Sequence, residues 1–205
     1  MTVLHLGDDE NRFSPEWLQR VHSTLDEVGD VLVTTGGGKF YSNGLDLEWL
    51  TANGDKAAEY VADVQELFAR VLTLPVPTVA AVTGHAFGAG AMLAMAHDFR
   101  VMRADRGYFC FPEADINIPF TPGMAALIQG KLTPASAIAS MTTGRRFGGA
   151  EALSFGLVDE IAEEGEVVKV ASSRVEALAG KDRGTLGAIK ATMFAPAVAA
   201  LRAAA

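Results

Sequence analysis

One cysteine, Cys110, stands in 205 residues, so no disulfide can form within the chain and a reducing, cytoplasmic setting is expected. Runs of lysine and arginine are missing, and acids outnumber bases to give a formal net charge of −8. That balance speaks against nucleic acid or an anionic membrane as the main partner. No segment has the unbroken apolar length of a membrane span. The start, "MTVLHLGDDENRF", lacks the basic residues and apolar core of a secretory leader. Low-complexity segments and internal repeats are absent too. With 49% hydrophobic residues, the chain has enough apolar material for one well-buried core, and a single domain is expected.

Several chemical signatures are also missing. His5, His22, His85 and His97 lack metal-ligand spacing and there is no cysteine cluster, so no metal site is expected. No G-x-S-x-G elbow of a serine hydrolase occurs. Cys110, between Phe109 and Phe111, reads as inert core. "GHAFGAGAML" has Gly88 and Gly90, but Leu93 fills the third glycine position of a dinucleotide fingerprint. In "TGGGKF", Lys39 is followed by Phe40 and the glycines are wrongly spaced for a phosphate loop. No nicotinamide site is expected.

What is present alternates between strand and helix. "TVLHL" and "DVLVTT" read as strands, as do "TVAAVTG" and "DFRVMRA". Ser14-Pro15-Glu16 starts a helix with a capping serine, a proline in the first turn and an acid beside it. Its apolar face is Trp17, Leu18, Val21, Leu25 and Val28. Further helices are expected from about Lys56 to Leu74, over "GAGAMLAMAH", and at 122–130, 134–142, 149–155 and 167–179, with an alanine-rich helical or frayed tail. The order predicts an α/β fold with largely parallel strands. Both glycine-rich turns are expected to lead from a strand toward a helix. Unobstructed N–H groups there could receive an anion or a developing oxyanion, although close chain packing explains the glycines equally well.

One carboxylate is conspicuous. Glu113, in "FCFPEADINIPF", has apolar neighbours on both sides, and a carboxylate so placed must be paired, exposed or kept for a reaction.

Four ordered segments, "KFYSNGLDLEWL", "PTVAAVTGHAFGAGAMLAMAHDFRVM", "FPEADINIPFTPGM" and "TGRRFGGAEALSFGLVDEI", resemble the crotonase (enoyl-CoA hydratase/isomerase) superfamily, and most of all its 3-enoyl-CoA to 2-enoyl-CoA isomerases. The resemblance implies a crotonase-like spiral of ββα turns over about 1–165 and a short helical C-terminal region over about 166–205. It implies an acyl-CoA thioester as substrate, no cofactor beyond that coenzyme A, and a homotrimer or dimer of trimers. The N–H groups of Leu45 and Ala89 would hold the thioester oxygen as it becomes an enolate. Carbonyls around Ser42 and Asn43 would meet the adenine, and Gly44, Asp46, Leu47 and Gly88 would complete the two loops. For Asp46, capping the following helix is the simpler role. Glu113 takes the place of the catalytic glutamate, with Phe111, Ile116 and Phe120 expected to desolvate it.

Hydratases carry a second glutamate where this chain has Met92. Water addition benefits from two carboxylates, whereas a double-bond shift needs one base to take a proton from C2 and return it at C4. The resemblance therefore points to isomerisation. A hydratase or other single-glutamate reaction is the alternative, and a non-catalytic acyl-CoA-binding or RNA-associated relative is another. Asp115 could share Glu113's side of an extended segment. Met92 and Met124 are expected in the core or along the acyl pocket, and Asp98 and Arg100 in structural roles. Arg145, Arg146 and Lys190 are weighed as phosphate contacts.

Overall fold

The computed structural model of the chain describes residues 1–203. Five parallel strands form the main sheet: β1 (Thr2–His5), β3 (Leu32–Thr35), β6 (Thr78–Val82), β8 (Phe99–Arg103) and β10 (Glu160–Ala162), paired in that order. A second parallel sheet pairs β4 (Phe40–Ser42), β7 (His85–Phe87) and β9 (Phe109–Cys110). Between them in sequence, β2 (Arg12–Phe13) pairs with β5 (Gly44–Leu45), also in parallel.

The chain passes repeatedly from the first sheet to the second and returns through a helix. β3 leads to β4 and back by way of α2 (Leu47–Ala52) and α3 (Ala57–Leu72). β6 leads to β7 and back by α4 (Ala89–Ala96), and β8 leads to β9 and then α5 (Glu113–Ile116). This is the spiral of ββα turns that the resemblance implied. It also corrects the reading of one glycine turn: Gly36–Gly38 lead into a second strand, β4, and not toward a helix, whereas the turn at Gly88 does follow a strand, β7, and open a helix, α4. Those strands are only three residues long, too short to show a period-two pattern in the sequence.

Local chemistry explains most helix starts. Ser14 Oγ accepts the Trp17 N–H at 3.2 Å to open α1 (Pro15–Asp26), with Pro15 in its first turn. Trp17 then stacks on Phe13, ring centroids 4.3 Å apart, and donates its indole N–H to the Leu6 carbonyl at 2.8 Å. Thr121 and Thr133 cap α6 (Pro122–Gln129) and α7 (Pro134–Met141) in the same Thr-Pro manner. The helix expected from Lys56 is preceded by α2 and a 3₁₀ turn at Gly54–Lys56.

Two apolar layers flank the main sheet. On one side Val33, Val79, Ala81 and Val101 pack on Val167, Ala171 and Val175 of α9 (Val167–Glu176). On the other lies the larger core, built from α1, α3, α4 and α6. α4 is buried on every face, which suits a sequence of alanine, glycine, leucine and methionine with no polar side chain. α8 (Gly149–Ser154) precedes β10, and the tail forms α10 (Arg183–Met193) and α11 (Ala195–Arg202), the latter packed on α3 and α6. Among the described residues no single helix is long and apolar enough to cross a membrane; α10 and α11 together reach that length and composition but bend by 75° at their junction.

Buried charges tie these layers together. Lys190 of α10 donates to the Val76 carbonyl at 2.7 Å and to Asp98 Oδ2 at 2.6 Å, and Asp98 also receives the Thr78 N–H at 2.8 Å. Lys190 is 4% exposed, so it is a tie between tail and sheet and is not available to a phosphate. Arg100 bonds Asp159 and the carbonyls of Leu157 and His97. Asp98 and Arg100 thus have the structural roles expected of them. His97 is a satisfied core histidine: it bonds Thr34 Oγ1 at 3.0 Å and the Leu93 carbonyl at 2.8 Å, and burial pushes its pKa down to about 3.

Candidate active site

Parallel strands place their carboxyl ends at one edge, where α/β folds commonly form crevices. β4, β7 and β9 end at Ser42, Phe87 and Cys110, and the chain leaves them through Gly44-Leu45, Gly88-Ala89 and Pro112-Glu113. The second sheet alone therefore brings three distant segments together.

Gly44 has φ +79°, and a Cβ there would stand 2.8 Å from the Ala89 nitrogen and 2.9 Å from the Phe87 carbonyl oxygen. Only glycine allows the two loops to approach so closely. Ala89 is the first residue of α4, whose first α-helical bond runs from the Met92 N–H to the Gly88 carbonyl at 3.0 Å. The Ala89 N–H thus has no partner within its own helix and sits at the helix's positive end. Gly88 has φ +51°; a Cβ there would lie 3.5 Å from Glu113 Oε1, in the space between loop and carboxylate.

Glu113 opens the four-residue helix α5. It is 8% exposed, and its Oε2 is buried without a hydrogen-bond partner. Burial raises its pKa from 4.5 to about 7, opposed only by its own backbone N–H and by no neighbouring cation. An unpaired, desolvated carboxylate of this kind is a stronger base than an exposed one and can hold a proton near neutral pH.

The carboxylate faces a cleft of about 240 Å³ with apolar walls from Leu45, Leu47, Phe87, Ile116 and Ile118. Its polar side chains are Arg12, Asn43 and Glu113. A larger groove of about 650 Å³, lined by Leu18, Trp49, Tyr60 and Asp63 among others, contains neither Glu113 nor the α4 N-terminus. The smaller cleft is where a base and the unpartnered Ala89 amide meet.

Of the residues singled out in the sequence, Asn43, Leu45, Leu47, Gly88, Ala89 and Glu113 line this cleft. Ser42 does not: it is fully buried, and its hydroxyl donates to the Asn11 carbonyl at 2.7 Å and accepts the Gly44 N–H at 3.0 Å. It shapes the loop from beneath. Asp46 caps α2, its Oδ1 accepting the Trp49 N–H at 3.0 Å. Met92, 1% exposed, belongs to the core and is not part of the cleft wall, because α4 has no face left open beyond its first residue. Met124 is likewise buried.

Three expectations change at α5. Phe111 turns into the core against Phe109 and Phe120, ring centroids 5.7 and 6.2 Å away, so Phe87 and Ile118 desolvate the carboxylate in place of Phe111 and Phe120. The segment is helical, not extended, which puts residues 113 and 115 roughly 200° apart around the axis. Asp115 is accordingly exposed and lies beside Gly144. Arg145 pairs with Glu151 at 2.5 Å and Arg146 lies over the Phe87 ring at 5.6 Å; neither lines the cleft. Arg12 is the cleft residue that sequence reasoning missed. It arrives through the parallel register that sets Arg12 opposite Gly44, a pairing with no local signal.

Similarity to known proteins can be set beside this geometry. A family model described as enoyl-CoA hydratase/isomerase matches residues 10–205. The chain is 38% identical over 190 residues to enoyl-CoA delta isomerase 3 of Arabidopsis thaliana, covering 85% of this chain and 79% of that protein. Among solved structures, a probable enoyl-CoA hydratase of Mycobacterium tuberculosis superposes with a TM-score of 0.90 at 31% identity, over 98% of this chain and 88% of that one. Human mitochondrial delta3-delta2-enoyl-CoA isomerase superposes with a TM-score of 0.85, over 92% of this chain and 76% of that one; at 23% identity it speaks for the fold alone.

Proposed function

The chain belongs to the enoyl-CoA hydratase/isomerase family, and from that premise we propose that it is an enoyl-CoA isomerase, moving the double bond of a 3-enoyl-CoA to position 2. Glu113 takes a proton from C2, which is acidified by the thioester carbonyl on one side and the alkene on the other. The C2–H electron pair forms a C1=C2 bond as the carbonyl π pair moves onto the thioester oxygen; when that charge returns, C2=C3 forms and the old C3=C4 pair takes the same proton at C4. Atoms balance without water or any cofactor beyond the substrate's own coenzyme A. The Leu45 and Ala89 N–H groups receive the enolate oxygen, each contributing about 3 kcal/mol that appears only as charge develops.

One observation carries the choice of isomerase over hydratase. Glu113 is the one carboxylate among the described residues that line the cleft. A single base suffices to carry a proton between two carbons, whereas activating a water and delivering its proton benefits from two groups. A cytoplasmic setting and trimeric assembly belong to the same proposal; exposed Ile138, Ile189 and Met193 support an assembly.

The test is a panel of 3-enoyl-CoA and 2-enoyl-CoA thioesters of matched chain lengths. Isomerisation is expected to exceed hydration by about 100-fold or more, the value of one missing acid–base group. Hydration as fast as isomerisation would make the protein a hydratase and remove the significance of the single carboxylate.

A further inference from the structure

We infer that the cavity between α10, the loop before it and the edge where β6 and β8 begin is a second ligand site, which takes an aliphatic monocarboxylate with its head on Lys131. The cavity, about 260 Å³, has apolar walls from Phe99, Leu178, Leu186, Ile189, Met193 and Phe194. None of its residues lines the cleft of Glu113, so it stands apart from the catalytic site. Its charged residues are Lys131, Lys181, Lys190 and Asp98, three cations to one acid in a chain whose net charge is −8. Apolar walls around an excess of positive charge suit a ligand with an apolar body and one negative head.

The three lysines differ in what they are free to do. Lys190 is committed to Asp98 and the Val76 carbonyl, and Lys181 is exposed. Lys131 is half-buried, and among the described residues it has no carboxylate partner. Its Nζ donates to the His97 carbonyl at 2.8 Å and lies 4.6 Å from the centroid of the Phe194 ring. An ammonium carries three donors, so two are left over. A cation held in apolar surroundings without a counter-charge is costly. Burial, aided by Arg100 and Lys190, accordingly lowers its pKa to about 8 against the pull of Asp98 and Asp159. His97 contributes only its carbonyl, since its ring nitrogens are held by Thr34 and the Leu93 carbonyl. A ligand carboxylate would supply Lys131 with the charge it lacks. The attached alkyl chain would cover Leu186, Ile189 and Met193, the last two 49% and 64% exposed.

The experiment is calorimetry of the full chain, wild type and Lys131→Met, with three probes: octanoate, octanol with the same chain and no charge, and acetate with the same head and no chain. Octanoate should bind at one site at pH 7, and octanol and acetate each about 10-fold or more weakly. Lys131→Met should weaken octanoate about 10- to 100-fold, the worth of a hydrogen bond to a charged group, and should not weaken octanol. At pH 8 wild type should take up protons from the buffer as octanoate binds, because the carboxylate holds the amine protonated, and the variant should take up none. Equal octanoate affinity in the two proteins, equal proton uptake, or octanol binding as tightly as octanoate overturns the inference. Octanoate that competes with a coenzyme A thioester sits in the cleft of Glu113 and overturns it too. Should Lys131→Met not fold, Met193→Glu decides: it sets an acid at an exposed position on the wall and should weaken octanoate but not octanol, and an unchanged octanoate Kd overturns the site. Ile189 and Met193 are also the exposed residues that support an assembly. If a second copy seals the cavity, octanoate will not bind and the inference falls.

Discussion

Glu113→Gln will isomerise 3-enoyl-CoA about 10²- to 10⁴-fold more slowly than wild type, and at pH 8 it will melt at a higher temperature. The amide keeps the shape of the side chain but cannot take a proton. The gain in stability has its own cause. The folded-state pKa of about 7 lies above the ordinary 4.5 because burial opposes ionisation. Between those values the folded protein holds a proton that the unfolded chain has released. The stabilising contribution of the neutral form is therefore fully present below about pH 4.5 and lost as pH rises through 7. At pH 8 the ionised carboxylate costs the fold up to about 3 kcal/mol, equivalent to several degrees in melting temperature for a chain of this length. Glutamine removes that cost. The difference in melting temperature between variant and wild type should shrink as the pH is lowered toward 5, whereas wild-type kcat/KM should climb with unit slope as the pH is raised and level above about pH 7. A variant that turns over normally places the base elsewhere; one that is less stable at pH 8 contradicts the desolvated carboxylate.

Ala89→Pro is expected to lower kcat about 10²- to 10³-fold with the fold retained, the loss typical of one missing oxyanion donor. Proline replaces the N–H with a ring carbon on the same nitrogen. At the first position of a helix that N–H has no helical partner, and proline's fixed φ suits the site. This chain already opens α1, α6 and α7 with Pro15, Pro122 and Pro134. The preceding Gly88, at φ +51° and ψ −123°, lies outside the right-handed helical region that proline forbids to its neighbour. Melting within a few degrees of wild type, together with kcat inside a factor of ten, would mean that the enolate oxygen is held by other groups.

The sequence was informative where structure is local or repeated. Ser14-Pro15-Glu16 announces α1, and the apolar spacing from Trp17 to Leu25 names its buried face, because capping and helical period act within a few residues. Glu113 stood out among its apolar neighbours because burying charge is costly wherever it occurs. The second sheet was less legible. β4, β7 and β9 are two or three residues long, so neither periodicity nor propensity separates them from turns. α5 is a single turn, and its helical twist, invisible in "EADI", decides that Glu113 points inward and Asp115 outward. Arg12 was overlooked and Lys190 misplaced for one reason. Whether a basic side chain lines a cleft or ties a helix to a sheet depends on a partner far along the chain: Gly44 for the one, Val76 and Asp98 for the other.

The central claim is that one carboxylate carries one proton between two carbons. A 3-enoyl-CoA deuterated at C2, turned over briefly in ordinary water, tests it most directly. Because Glu113 is buried and its Oε2 has no partner with which to exchange, part of the deuterium should appear at C4 of the 2-enoyl product. A C4 hydrogen drawn wholly from solvent at the earliest turnovers would mean that a second acid delivers it, and the single-base account would be wrong.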